Sequence, residues 1–232
     1  LTPTSANWNI TPKITVSELV NLCIDNGIRV YSVHINRDVG NLLSPWERKV
    51  VLEGQNVLKR NLSGASELGV KVTVFHMWNT YDDHIDLKLL FKRMYEVSRD
   101  YEINIAVENI PLSDKNMNST KAWKILSDIM PGEYGFTLDL NWSSLYDNFE
   151  ELKKFSERIL NVHVQGFLLI ENGDYSISPR AGKLDMLKSL NELCSDGYEN
   201  YITLEMNRPK GLNDFRQAVK MIKEASGRYQ QK

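Results

Sequence analysis

Cysteine is scarce in this chain: Cys23 and Cys194 are the only two among 232 residues. Two distant thiols cannot build the disulfide framework of a small secreted domain, and no CxxC pair is present to carry redox chemistry. Both fall within expected helices and read as buried or half-buried thiols in a reducing, cytoplasmic setting. Excess charge is equally scarce. Lys and Arg number 28 against 30 Asp and Glu, so no basic field advertises nucleic acid, which is disfavoured as a partner. No apolar run approaches the roughly 18 residues of a membrane span. The opening Leu1-Thr2-Pro3-Thr4-Ser5-Ala6-Asn7 does not resemble a signal peptide, and its lack of Met reads as a processed or trimmed start. A P-loop and a Gly-x-Gly-x-x-Gly fingerprint are missing too, which removes the commonest nucleotide-binding signatures.

What remains is an ordinary globular composition, 42% apolar and 25% charged, in a chain long enough to bury a core without a staple. No low-complexity linker interrupts it, so residues 1–232 read as a single domain. Four short apolar runs each stop on one acid or imidazole: Ile105-Ala106-Val107-Glu108, Phe136-Thr137-Leu138-Asp139, Leu160-Asn161-Val162-His163 and Ile202-Thr203-Leu204-Glu205. Strand alternation sends Ala106 and Glu108 to one face and Val107 to the other. The same phase pairs Thr137 with Asp139, Asn161 with His163 and Thr203 with Glu205. In parallel α/β folds the carboxyl ends of strands face ligands. Two Glu, one Asp and one His at one rim would form a cage for a divalent cation.

Helical patterns separate these runs. Helices are expected at Val16–Asn26, Ile85–Arg99, Ser119–Met130, Phe149–Arg158, Leu184–Ser195 and Asn213–Ala225. A further one is expected to start with Ser44 as cap, Pro45 in the first turn and Glu47 closing a capping box. Its apolar face includes Val50, Val57 and Leu68, and Gly69 ends it. Earlier strands are expected at Arg29–Asn36 and Lys71–His76. Alternating strands and helices with polar strand ends favour an α/β fold, a (β/α)8 barrel. Only six strands are evident where a closed barrel needs eight, so the chain reads as lacking the first one or two strands. An open sheet exposes two edges, which makes a homodimer attractive.

The ordered set Ser32-Val33-His34-Ile35-Asn36, Glu67 to His76, Ala106-Val107-Glu108-Asn109, Leu138-Asp139, Val162-His163-Val164 and Leu204-Glu205 resembles the xylose isomerase-like TIM-barrel superfamily. That group includes sugar phosphate isomerases and epimerases and endonuclease IV. Pro179-Arg180-Ala181-Gly182-Lys183-Leu184-Asp185 resembles the family's glycine-containing loop after the histidine strand. In this register the chain begins just after the family's second strand. The resemblance implies a metal quartet of Glu108, Asp139, His163 and Glu205 holding one divalent ion: Mn, Mg, Co or Zn. It also implies that Glu108 and Glu205 work as an acid/base pair beside a metal-bound carbonyl of a small-molecule carbohydrate substrate. Substrate contacts would fall on His34, His76, Arg180, Trp142 and Asn109. Trp78 would stand just past a strand end, where an aromatic can wall a sugar site. Trp46 and Trp123 read as core or helix-face residues, and His84 as a surface residue.

The chain departs from the family pattern in three places. Trp142 stands where members commonly have histidine three residues after the metal-binding aspartate. Gly166 replaces an aspartate common three residues after the histidine. No second histidine lies between His163 and Glu205, which disfavours a three-zinc phosphodiesterase. The expected function is therefore a metal-dependent sugar or polyol isomerase/epimerase. The alternatives are an endonuclease IV-like enzyme acting on abasic DNA and a catalytically silent sugar-binding or sensor protein, the latter prompted by Trp142.

Overall fold

The computed structural model describes residues 14–171 and 174–227. The segment Leu1–Asn7, on which the expectations about a leader and a trimmed start rest, lies outside the described residues. The chain forms two compact units, residues 1–135 and 136–232, and both alternate helices with parallel strands.

The first unit runs α1 (Val16–Asp25), β1 (Ser32–His34), α2 (Asp38–Leu43), α3 (Arg48–Glu67), β2 (Val72–Phe75), α4 (Leu87–Ser98), β3 (Asn104–Glu108) and α5 (Ser119–Ser127). Side-chain caps start the helices where the sequence offers an oxygen. Thr15 and Glu18 form a reciprocal capping box on α1. Asp86 accepts from the Leu89 amide to start α4, and Asn118 accepts from the Lys121 amide to start α5. Such caps each contribute about 1 kcal/mol. The strands pair in parallel, with His34 beside Val74 and Val74 beside Ala106. One pleat further on, His76 and Glu108 follow on the same face. Apolar residues of the opposite phase, such as Phe75 and Val107, are completely buried, as are Trp123 and Leu126 of α5. Burying an aromatic of this size stabilises the fold by about 2–3 kcal/mol. A buried hydrogen bond of 2.8 Å joins the Ser98 and Tyr134 hydroxyls.

Three expectations are corrected here. Ser44 does not cap the long helix. It ends the short helix α2, and its hydroxyl donates to the Gly40 carbonyl at 2.9 Å. Arg93 fixes this turn by donating from Nη1 to the carbonyls of Leu43, Ser44 and Pro45. With the Ser44 hydroxyl already committed, α3 starts at Arg48. Its buried face is also shifted from Val50 and Val57, which are half-buried, to Val51, Gly54, Leu58, Leu62 and Ala65, while Leu68 packs against Ala65, Val70 and Ile103 as expected. Gly54 decides that rotation, because a Cβ there would come within 2.8 Å of the Leu42 Cβ. Only a glycine face lets α3 approach α2 so closely. Finally, Trp46 is neither core nor helical. It is 80% exposed and takes the Arg93 guanidinium over its ring at 5.8 Å.

The second unit runs β4 (Gly135–Asp139), α6 (Leu140–Tyr146), α7 (Phe149–Leu152), a 3₁₀ stretch (Lys153–Arg158), β5 (Ile159–Glu171), β6 (Asp174–Ser178), α8 (Met186–Ser195), β7 (Tyr201–Met206) and α9 (Leu212–Ala225). β5 lies between β4 and β7, parallel to both. Its far half leaves that ladder and folds back with β6 as an antiparallel hairpin. Gly166 stands where the hairpin departs. A Cβ there would meet the Ser178 carbonyl oxygen at 2.5 Å, which accounts physically for glycine in place of the family's aspartate. Cys23 and Cys194 are both half-buried, as expected. Among the described residues no helix is long and apolar enough to cross a membrane.

Candidate active site

In the first unit, three titratable side chains meet beyond the strand ends. His34 Nε2 lies 3.1 Å and His76 Nε2 2.7 Å from the same Glu108 oxygen, Oε2. The two imidazoles stand edge to face with centroids 4.6 Å apart. One ligand atom from each of His34, His76 and Glu108 falls within 4.8 Å of the others. Glu108 is almost wholly buried while His34 keeps about a third of its side chain in solvent. Burial holds the His76 imidazole below its ordinary pKa. The Glu108 carboxylate opposes that shift, and His34 and Arg37 reinforce it. His34 Nδ1 lies 3.0 Å from the Ile35 carbonyl.

In the second unit, strand register assembles the remaining candidates. Asp139 is the cross-strand partner of His163, and His163 that of Thr203. Glu205 lies one pleat beyond Thr203, with Oε1 3.4 Å from His163 Nδ1. The Thr203 hydroxyl donates to the side-chain oxygen Oδ1 of Asn161 at 3.0 Å, so the polar face expected from alternation is the observed one. Asp139 is completely buried and ends β4 by capping α6, where its Oδ1 accepts the amides of Asn141 and Trp142 at 2.7 and 3.0 Å. This short helix was not expected, and the apolar-then-polar step after Asp139 gave no periodic stretch long enough to reveal it. Trp142 is half-buried on its first turn.

Arg180 is exposed on the loop between β6 and α8, and α6 anchors that loop. The Arg180 amide donates to Asn141 Oδ1 at 2.7 Å and the Leu184 amide to Ser144 Oγ at 3.0 Å. Gln165 lies between Arg180 and Glu205. Its Nε2 donates to Glu205 Oε2 at 2.8 Å, and its Oε1 accepts from Arg180 Nη1 at 3.3 Å and from Asn141 Nδ2 at 3.4 Å. Neither Gln165 nor Asn141 was singled out from the sequence. The alternation that assigned His163 to this face also assigns the residue two positions on, so the signal for Gln165 was available. Among the other candidates, Asn109 is completely buried and His84 is exposed. Trp78 is 1% exposed, with its indole N–H on the Pro111 carbonyl at 3.0 Å. It is a packing residue and walls no open site.

The donor chemistry of these strand ends, buried carboxylates with imidazole, suits a hard or borderline divalent cation. Parallel strands with interleaved helices and acidic or imidazole carboxyl ends define an α/β protein of barrel type. The chain matches the xylose isomerase-like TIM barrel family over residues 4–225 and belongs to that family. Among curated proteins none matches it. Solved structures are similar in fold. A D-tagatose 3-epimerase-like protein is 23% identical with a TM-score of 0.67, covering 93% of this chain and 83% of its own. The IOLI protein with a bound zinc atom is 17% identical with a TM-score of 0.68, covering 94% and 83%. D-allulose 3-epimerase from Methylomonas sp. in complex with D-allulose is 16% identical with a TM-score of 0.63, covering 92% and 79%.

Proposed function

We propose that the protein is a sugar or polyol isomerase/epimerase dependent on one divalent cation, with Glu108, Asp139, His163 and Glu205 as its ligands. The observation that carries the reading is the register of β4, β5 and β7. It lines up Asp139 with His163 and brings Glu205 to 3.4 Å from the imidazole. A buried carboxylate is costly unless an opposite charge or hydrogen bonds offset it, and Asp139 beside an imidazole is a natural ligand pair. Family membership supports the same quartet. The sugar complex and the zinc complex among the similar structures support a carbohydrate substrate and a divalent metal.

A divalent cation bound there would supply Lewis acidity at the substrate carbonyl oxygen. In this reading Glu205 and Glu108 are the acid/base pair. One takes a proton from the carbon beside the carbonyl, and the other returns one on the opposite face. Arg180, with its backbone amide held by Asn141 Oδ1 and an exposed guanidinium that donates to Gln165 Oε1, binds sugar hydroxyls together with His34 and His76. Trp142 presents a ring where relatives carry histidine, so the substrate has a less polar edge at that position.

The test is metal content by mass spectrometry of the purified protein beside His163→Ala, followed by a heavy-water screen of ketoses. One ion per chain, absent from the variant, and deuterium entering next to the carbonyl are the expected results. Glu108→Gln and Glu205→Gln should each cut that exchange by roughly 10²–10⁴-fold. A folded, reconstituted protein without metal would sink the reading. A second reading, metal-assisted phosphodiester hydrolysis, draws on the His34–His76–Glu108 cluster. Two or three zinc ions per chain with cleavage of an abasic duplex would favour it.

A further inference from the structure

We infer that Gln165 is the positioning residue for Glu205, a neutral amide set between that carboxylate and the Arg180 guanidinium. The inference rests on the metal-site reading above and assigns a role to a residue outside the quartet. Gln165 and Glu205 are direct cross-strand partners in the parallel β5–β7 ladder, so their side chains leave the same face at the same level. The amide has only one orientation that fits its neighbours. An ionised carboxylate can only accept, so the Gln165 NH₂ must face Glu205. The Arg180 and Asn141 groups donate, so the Gln165 oxygen must face them. The observed contacts, 2.8 Å on the nitrogen side and 3.3 and 3.4 Å on the oxygen side, have that polarity.

The second anchor is itself fixed. The Asn141 amide donates to Asp139 Oδ1 and its side-chain oxygen accepts the Arg180 amide, both at 2.7 Å. Asn141 therefore links Asp139, through its backbone amide, to Gln165, through its side-chain Nδ2, and Gln165 in turn contacts Glu205 and Arg180. Two consequences follow. Gln165 occupies Oε2 of a Glu205 side chain that is about one-third exposed, leaving Oε1 on the His163 side at 3.4 Å. A flexible glutamate is thereby held in one rotamer, at a lower entropic cost to whatever binds Oε1. The neutral amide also stands where a direct Arg180–Glu205 ion pair would otherwise tie up both groups. Glu205 Oε1 stays open to ligand and base chemistry, and the guanidinium keeps donors free for hydroxyl groups.

The test compares the wild type with Gln165→Met, which retains volume and removes both hydrogen-bonding ends, in two measurements on the full chain. In the first, selective ¹⁵N-glutamine labelling of the metal-free protein follows solvent exchange of the Gln165 side-chain NH₂. Protection lost in Glu205→Ala is expected. An unprotected NH₂ in the wild type overturns the inference. In the second, Mn²⁺ is titrated and the free ion read by electron paramagnetic resonance. Gln165→Met should bind Mn²⁺ roughly 10- to 100-fold more weakly, with an unchanged melting temperature in the absence of metal. Equal affinity overturns the positioning role, and a lowered metal-free melting temperature with equal affinity reduces Gln165 to a structural residue. Failure of the wild type to bind Mn²⁺ counts against the metal reading alone, and the NH₂ protection then decides on Gln165.

Discussion

Gly182 holds a backbone φ of +86°, and a Cβ placed on it would lie 2.0 Å from the Ser144 carbonyl oxygen. A methyl group there meets backbone it cannot displace, and the left-handed conformation is strained for any side chain. Gly182→Ala should therefore destabilise the protein by on the order of 1–3 kcal/mol, measured by urea unfolding. The cost should have a local signature. The amides of Arg180 and Leu184, which rest on Asn141 and Ser144, should lose hydrogen-exchange protection while α8 keeps its own. An unaltered exchange rate at Arg180 would show that the loop is not anchored on α6. Glycine in this loop was legible as a family-like feature, but its partner was not. Ser144 lies 38 residues away in sequence, and only the packed chain brings it under the loop.

Among the helices, α1 depends most on its own sequence. None of its residues is buried, so tertiary packing contributes little and the capping box of Thr15 and Glu18 carries its start. Glu18 accepts from the Thr15 backbone amide and hydroxyl at 2.7 and 2.8 Å. These bonds, the backbone one first, hold its carboxyl below the ordinary value of 4.5. A carboxyl lowered on folding contributes stability that is present above pH 4.5 and lost as pH falls through the lower folded value. Amide protection in α1 should be flat above that point and decline below it, and Glu18→Gln should remove the decline. A pH-independent profile in the wild type would sink this account. Elsewhere the periodic apolar faces made α4 and α5 legible to within a few residues, whereas the capping oxygens of Asp86 and Asn118 were not read from the sequence. The β5–β6 hairpin was missed although the sequence places Asn172-Gly173, a strong hairpin signal, after an apolar run. The strand was expected to stop at His163, and no element was assigned to that run.

For the whole molecule, the proposed cation couples to folding. A ligand that binds only the folded chain stabilises it by RT ln(1 + [L]/Kd), about 2.7 kcal/mol at a concentration 100-fold above Kd. Mn²⁺ at such a level should raise the unfolding midpoint of the wild type relative to a chelator-treated sample, and should leave His163→Ala unmoved. Equal midpoints in the wild type would count against a site formed by folding. The amino-acid sequence by itself determined the alternation of strands and helices and the polar phase of the strand ends among the described residues, because those are local periodicities written in consecutive residues. It also carried the ordered residues that mark the family. Only the tertiary structure decided that Glu108 Oε2 serves two histidines, that Gln165 stands between Glu205 and Arg180, and that glycines 54, 166 and 182 are contact points. Such pairings are set by strand register and close backbone approach between residues distant in sequence, and no local pattern encodes which two segments meet.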